Sequence, residues 1–278
     1  MAASLLSEVL LCAGCGSPLR LGIARMRACC CQSNGHRLDR SILRYDPDLA
    51  HREKPEMRAR DRQAHGYMLH AKLPTQIHRI RSFVAGLPAE ARALPVLDLG
   101  CGPGPTTAIL LAAGFSVIAV DFSLTSLGLN EEQCRNLGDV LYVHADLTQV
   151  RFAEQCVGGL MMADFLQHLG GADTQRAFLR RAFAALRPGG WFFLSFFNIN
   201  LKNRFKGDIE GAYANGEIPY RRLTTREVVA MLPAYVEITA VLPMNIFHSA
   251  APDRLVARLP YARHFARMMV ICGHKGRG

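Results

Sequence analysis

Beyond residues 99–120 the sequence has no apolar run long enough to cross a bilayer, no aromatic-interleaved basic motif, no run of Lys or Arg, no internal repeat and no low-complexity segment. These absences exclude a polytopic membrane protein, a repeat architecture and a basic nucleic-acid-binding tail. The opening stretch "MAASLLSEVLL" lacks a basic region before its apolar residues and carries Glu8, so no secretory signal is expected and a cytoplasmic location is the default expectation. A disulfide framework is missing too. The nine cysteines are odd in number and cluster in the first 31 residues, which points to metal ligation or reduced thiols.

The 278 residues suffice to bury a full core, as one large domain or one domain with a small appendage. Charge divides the chain in three: residues 1–95 carry 15 Lys and Arg against 8 Asp and Glu, residues 96–200 carry 6 against 9, and residues 201–278 carry 12 against 6. The centre is mildly acidic and the flanks are basic. Such flanks suit RNA, an anionic metabolite or a membrane surface, or are simply a solvated Arg-rich exterior.

Between Asp98 and Asp121 stand 22 consecutive uncharged residues. Length alone would permit a membrane span. Four glycines (Gly100, Gly102, Gly104, Gly114) and two prolines (Pro103, Pro105) argue against a lipid-exposed helix, since each Pro removes a backbone donor and each Gly costs about 1 kcal/mol of helix propensity. The stretch reads instead as strand, glycine turn, helix over Thr106 to Ala113, stop at Gly114, and second strand over Phe115 to Val120. This is a βαβ unit whose strands look buried on both faces.

Glycines at i, i+2 and i+4 after a buried strand let backbone approach a ligand where a Cβ would collide. A phosphate-binding loop would need Lys and Ser or Thr after its last glycine, and Pro105-Thr106 stands there instead. A dinucleotide-binding turn needs G-x-G-x-x-G, and the sixth position is Pro105. Further along, "LYVHADL" reads as a strand ending in Asp146 and "CVGGLMMADFLQHL" as a fourth strand and its exit. "ADTQRAFLRRAFAALRPGG" is a helix with Phe178, Ala182, Phe183 and Leu186 at helical spacing, stopped by Pro188-Gly189-Gly190 before the strand "WFFLSFF". "YVEITAVLPMNI" and "FARMMVICGHK" read as a closing antiparallel pair.

In this order the motifs resemble class I S-adenosylmethionine-dependent methyltransferases over roughly residues 60–276. "VLDLGCGPG" resembles their first motif and "LRPGG" before an aromatic strand is another family feature, although Cys156-Val157 stands where Phe-Asp is usual. The resemblance implies an α/β fold: a Rossmann-like, seven-stranded, mostly parallel sheet with helices on both faces. It places Gly100, Gly102 and Gly104 beneath the methionine part of the cofactor and Asp98 as its orienting acid. Asp121 would hold both ribose hydroxyls, two acceptor oxygens meeting two donors. Asp146 would accept from the adenine amino group, Phe122 and Leu147 would flank the ring, and Ala163 would line the cofactor at the fourth strand's exit. Tyr67, on the helix before the first strand, is a candidate cofactor contact or a core residue. His168, just after the fourth strand, is the candidate catalytic base, or a packing and capping residue; His144 reads as structural.

At the N-terminus, Cys12 and Cys15 form a C-x-x-C knuckle, and Cys29, Cys30, Cys31 and His36 follow. Thiolates and imidazole so spaced suit a tetrahedral structural zinc. The segment resembles the N-terminal zinc module of bacterial large-subunit rRNA guanine methyltransferases, with His36-Arg37-Leu38-Asp39 as its ending and Cys12, Cys15, Cys31 and His36 as the implied ligands; a zinc-free, degenerate knuckle is the alternative. The expected organisation is a zinc-ribbon-like module at 1–50, a helical linker with a cofactor-covering helix at 51–92, and a methyltransferase domain at 93–278. Within the last, the polar link 198–222, with Tyr213, Tyr220 and five basic residues, reads as a lid or as a solvated crossover loop. Methyl transfer to a small molecule is the expected function. The alternatives are an RNA base methyltransferase, disfavoured because the rRNA enzymes' later segments are missing, and a non-catalytic cofactor-binding adaptor that docks a partner through the N-terminal module. The oligomeric state is not legible.

Overall fold

The computed structural model describes residues 9–12, 15–21, 26–27, 37–39, 42–45, 55–70, 74–247, 255–257 and 259–277, with the side chains of 20–21, 26–27, 37–39 and 67–70 outside that set. Its apolar run from 99 to 120 resolves as the sequence indicates. Strand β6 (Val96–Leu99) leads through the glycine turn into a helix at Pro105–Ala112, and strand β7 (Val117–Asp121) follows. Among the described residues no helix is long and apolar enough to cross a membrane.

Before these elements come strands β1 (Leu10–Leu11), β2 (Arg20–Leu21), β3 (Met26–Arg27), β4 (Arg37–Asp39) and β5 (Ile42–Arg44), then helices α1 (Pro55–His70) and α2 (Pro74–Ala85). The helix at Pro105–Ala112 is α3. After β7 follow α4 (Leu124–Cys134), β8 (Val140–His144), β9 (Arg151–Phe152), β10 (Val157–Ala163), α5 (Ala172–Ala185) and β11 (Leu186–Phe197). The chain closes with α6 (Leu201–Lys206), β12 (Glu210–Tyr213), β13 (Ile218–Arg221), α7 (Thr225–Met231), β14 (Val236–Met244) and β15 (Met268–Lys275).

The main sheet has the order β14-β15-β11-β10-β6-β7-β8-β5-β4. Pairing is parallel from β11 through β10, β6, β7 and β8 to β5, and antiparallel at both ends. The expected count of seven strands is therefore corrected to nine. Seven follow the expected order, with β14 and β15 as the closing antiparallel pair, and β5 and β4 add to the β8 edge. Residues 37–39, read as the end of a metal knuckle, supply β4. The physical reason is edge pairing. An uncovered β8 would expose its backbone donors and acceptors, and Ile42 and Leu43 provide a short apolar strand to cover them.

Alternate residues of each central strand serve opposite faces. Leu97, Leu99, Ile118 and Val120 pack with Phe178 and Phe183 of α5 and Val228 of α7. On the other face Val96, Val117 and Ala119 pack with Ile80 of α2, Leu110 of α3 and Leu127 of α4. All seven residues of β10 are buried, as a strand covered on both faces requires. The described N-terminal residues share this core: Val9, Leu10, Leu19, Leu43 and Tyr45 pack against Val143, Leu147 and Val150, and β1 pairs with β9.

The link 198–222 folds as α6 and a β12–β13 hairpin. It is anchored by the amide of Leu223 on Phe197 O at 2.8 Å and the amide of Ile199 on Leu223 O at 3.1 Å.

Candidate functional site

The carboxyl ends of the parallel strands open into one cavity, the position where ligands enter open α/β sheets. Its floor is the glycine turn. Gly100, Gly102 and Gly104 all have positive φ (70°, 54° and 105°), which strains any side chain. Their surroundings differ. A Cβ on Gly100 would stand 2.8 Å from Phe165 Cβ, and one on Gly104 would stand 2.6 Å from Asn130 Oδ1. A Cβ on Gly102 would meet no protein atom within 4 Å. Gly100 and Gly104 are thus required by the protein itself, whereas Gly102 holds open space in the cavity floor.

Beneath the turn a buried network fixes its shape. Thr107 Oγ1 donates to Asp98 Oδ2 at 2.7 Å, and Asn130 Nδ2 donates to Thr107 Oγ1 at 2.9 Å and to Gly102 O at 3.2 Å. Asp98 is 1% exposed. Neither Asp98 nor Gly104 lines the cavity.

Asp121, at the end of β7, does line it. Its Oδ2 accepts from the Gly102 amide at 2.9 Å and its Oδ1 from the Ser123 amide at 2.8 Å. The carboxylate is thereby pinned to the turn it faces. Burial raises the carboxyl's pKa above its ordinary value, opposed by those two amides and by the nearby Arg60 charge. Asp146 accepts through Oδ1 from the amide and hydroxyl of Thr148 at 2.8 and 2.7 Å, a turn of its own making. Phe122, Leu147 and Ala163 complete this side of the cavity. His144 is buried below, with Nε2 3.0 Å from Phe122 O.

The opposite side begins at the exit of β10. Asp164 has φ 68°, rare for a residue with a side chain. It is clamped: Ser195 Oγ donates to Oδ1 at 2.5 Å, Gln76 Nε2 to Oδ2 at 2.7 Å, and Gln167 Nε2 to its carbonyl at 2.8 Å. One turn on, His168 lies 2.8 Å through Nδ1 from Pro219 O in the hairpin. A carbonyl can only accept, so Nδ1 carries the proton and Nε2 is the accepting nitrogen. Burial, followed by the Arg60 charge, pushes the His168 pKa down to about 4.

Helix α1 roofs the cavity. Glu56, Met57, Arg60, Gln63 and Ala64 line it, a single helical face. The helix is docked by Asp61, whose Oδ1 accepts from Ser123 Oγ at 2.5 Å and the Thr125 amide at 3.2 Å, and by an ion pair between Arg62 and Glu217 of the hairpin. The side chain of Tyr67 lies outside the described residues. Sequence reasoning missed Arg60, Asp164 and Asn130. Arg60 was within reach, because it stands two helical turns before Tyr67 on the helix expected to cover the cofactor.

Of the expected zinc ligands, Cys12 and Cys15 do not line this cavity. The Gly16 amide donates to Cys12 O at 3.0 Å; Cys12 is buried and Cys15 exposed. Cys29, Cys30, Cys31 and His36 lie outside the described residues, and among those described no three His, Cys, Asp or Glu converge on a metal position.

Sheet order, glycine turn and strand-end acids define a class I S-adenosylmethionine-dependent methyltransferase fold. Comparison with known proteins agrees: residues 96–190 match the family model described as a methyltransferase domain. The chain is 33% identical over 111 residues to N-demethylindolmycin N-methyltransferase of Streptomyces griseus, covering 39% of this chain and 46% of that protein. It is 25% identical over 151 residues to the ubiquinone biosynthesis O-methyltransferase of Methylococcus capsulatus, covering 54% and 61%. The match therefore spans less than two thirds of either relative's length. Among solved structures, the Burkholderia thailandensis 1,6-didemethyltoxoflavin-N1-methyltransferase, with 1,6-didemethyltoxoflavin and S-adenosylhomocysteine bound, superposes with a TM-score of 0.53 at 21% identity, over 77% of this chain and 84% of that one.

Proposed function

We propose that this protein transfers a methyl group from S-adenosylmethionine to a small-molecule acceptor. The observation that carries the reading is the hydrogen bond from the Gly102 amide to Asp121, which fixes a Cβ-free patch of backbone beside an acidic hydroxyl receptor. That pairing fits a ligand with a vicinal diol and a close-packed chain, as the cofactor has. When bound, the cofactor supplies an already activated methyl group on a sulfonium.

The chain's own task is alignment and exclusion of water. Asp121 receives the ribose hydroxyls, Asp146 and the flanking Phe122 and Leu147 take the adenine end, and Asp98 stiffens the turn through Thr107. At a pKa of about 4, His168 is neutral near pH 7, and its Nε2 orients an N–H or O–H of the acceptor rather than storing a proton. The α6–hairpin segment covers the acceptor side and α1 the cofactor side. The small-molecule preference rests on the relatives, whose names specify demethylindolmycin and ubiquinone biosynthesis as their business.

Calorimetric titration with S-adenosylhomocysteine tests the reading. Binding by the native chain is expected, with Asp121→Ala weakening it by about 1.5–3 kcal/mol per charge-assisted hydrogen bond lost. A folded native chain that takes no S-adenosylhomocysteine would sink the enzyme.

A structural zinc on Cys12, Cys15, Cys31 and His36 belongs to the same proposal. The Gly16 amide donates to Cys12 O, and thiolates at C-x-x-C spacing suit a zinc knuckle. Metal analysis should find one zinc per chain, and less in Cys12→Ser.

A further inference from the structure

Resting on the methyltransferase reading, a further property of the acceptor is written around Arg60. The guanidinium lines the cavity, and its one ion pair among the described residues is a long contact, 3.5 Å, to Glu56 on the preceding turn. It is not within ion-pair distance of Asp121, whose oxygens are engaged by Gly102 and Ser123. Its charge nonetheless reaches three groups around the opening, disfavouring protonation of His168 and favouring ionisation of Asp121 and Tyr213. Arg60 lines the cavity together with Asp121 and His168, and two residues on along its helix Arg62 pairs with Glu217 of the hairpin.

Adjoining the cavity at His168 stands an aromatic cluster. The His168 ring meets Phe197 edge-on at 5.9 Å, Phe197 meets Tyr220 at 5.8 Å, and Tyr213 stacks on Tyr220 at 4.6 Å with 26° between planes. Arg222 caps the cluster from 5.0 Å over Tyr220 and is itself tied to Asp208. Tyr213 is 44% exposed. Ring faces of this kind favour flat, π-rich ligands. A weakly paired guanidinium in the adjoining cavity favours a carboxylate or other oxyanion, which it can grip with two parallel hydrogen bonds. With a sulfonium delivered into the same cavity, a second cation nearby is repelled unless an anion lies between them.

We propose that Arg60 and the Phe197–Tyr213–Tyr220 wall select a flat aromatic acceptor carrying an acidic group. The rival assignment gives Arg60 to the cofactor's own carboxylate.

The test uses the full chain with S-adenosylhomocysteine, titrated by ligand-observed NMR with 2-naphthoate, 2-naphthamide and cyclohexanecarboxylate. Naphthoate should bind at least about tenfold more tightly than either of the others, as charge-assisted and ring contacts together imply. Arg60→Gln should bring naphthoate and naphthamide to within about twofold, and Tyr213→Leu should erase the advantage over cyclohexanecarboxylate. Equal binding of the three, or binding of none at millimolar concentration while S-adenosylhomocysteine binds, overturns the proposal. So does an Arg60→Gln chain that loses S-adenosylhomocysteine affinity but keeps the acid-over-amide preference, which would give the guanidinium to the cofactor. Failure of the native chain to bind S-adenosylhomocysteine overturns the methyltransferase reading and this inference with it.

Discussion

Three glycines two residues apart do different jobs, and single substitutions separate them. Gly104→Ala would push a methyl group into Asn130 and disturb the Thr107–Asp98 network, so its melting temperature should fall furthest. The Cβ of Gly102→Val meets no protein atom, and the substitution should cost mainly the backbone strain of its positive φ, on the order of 1–3 kcal/mol. Its S-adenosylhomocysteine affinity should nonetheless be abolished in calorimetry; retained affinity would show that the ligand does not cross this patch. The sequence spacing revealed the turn, but not which glycine faces the ligand, because that depends on Phe165 and Asn130, far away in the chain. His168 gives a second residue-scale test. Its pKa of about 4 lies below the ordinary value of 6.5, so the unfolded chain takes up the proton first. Its contribution to stability is therefore intact above about pH 6.5 and is lost as pH falls toward 4. Urea unfolding at pH 7 and pH 5 should show a larger acid loss in the native chain than in His168→Gln.

At the scale of elements, the strands were legible because buried parallel strands are continuous apolar runs, and α5 because its apolar residues keep helical spacing. Helix α1 was harder to read. Its inward face mixes Glu56, Met57, Arg60, Gln63 and Ala64, so no apolar stripe marks the side turned to the cavity. What fixes α1 is a polar contact: Asp61 caps the start of α4 beside Ser123, itself the neighbour of Asp121. Asp61→Ala should cost about 1 kcal/mol, as lost caps do. Because the same contact seats the roof over the strand-end acid, its S-adenosylhomocysteine affinity should also drop, which loss of a remote cap would not cause. The hairpin, read from sequence as a polar link, owes its order to the Tyr213–Tyr220 stack and the anchors at Leu223, pairings that only the folded register reveals.

Across the whole molecule, the N-terminal strands were the least legible feature. Their cysteines drew attention to metal chemistry, while the residues that join them to the sheet are ordinary apolar ones such as Leu10 and Leu43. Tyr45 makes the joint: its hydroxyl donates to Leu11 O at 2.6 Å and accepts from the Arg151 amide at 3.1 Å, and the side chain is 1% exposed. Tyr45→Phe leaves both backbone groups without that partner and should lower stability by about 1–3 kcal/mol in chemical denaturation. A change near zero would mean that water replaces the hydroxyl.

The pairing of β1 with β9 and of β5 with β8 also sets a timetable. During synthesis β5 meets β8 only after the chain has passed residue 144, and β1 meets β9 only after it has passed residue 152, since non-local pairing waits for loop closure. Until then Leu10, Leu43 and Tyr45 lack the later elements that bury them, and apolar surface left exposed in this way favours aggregation.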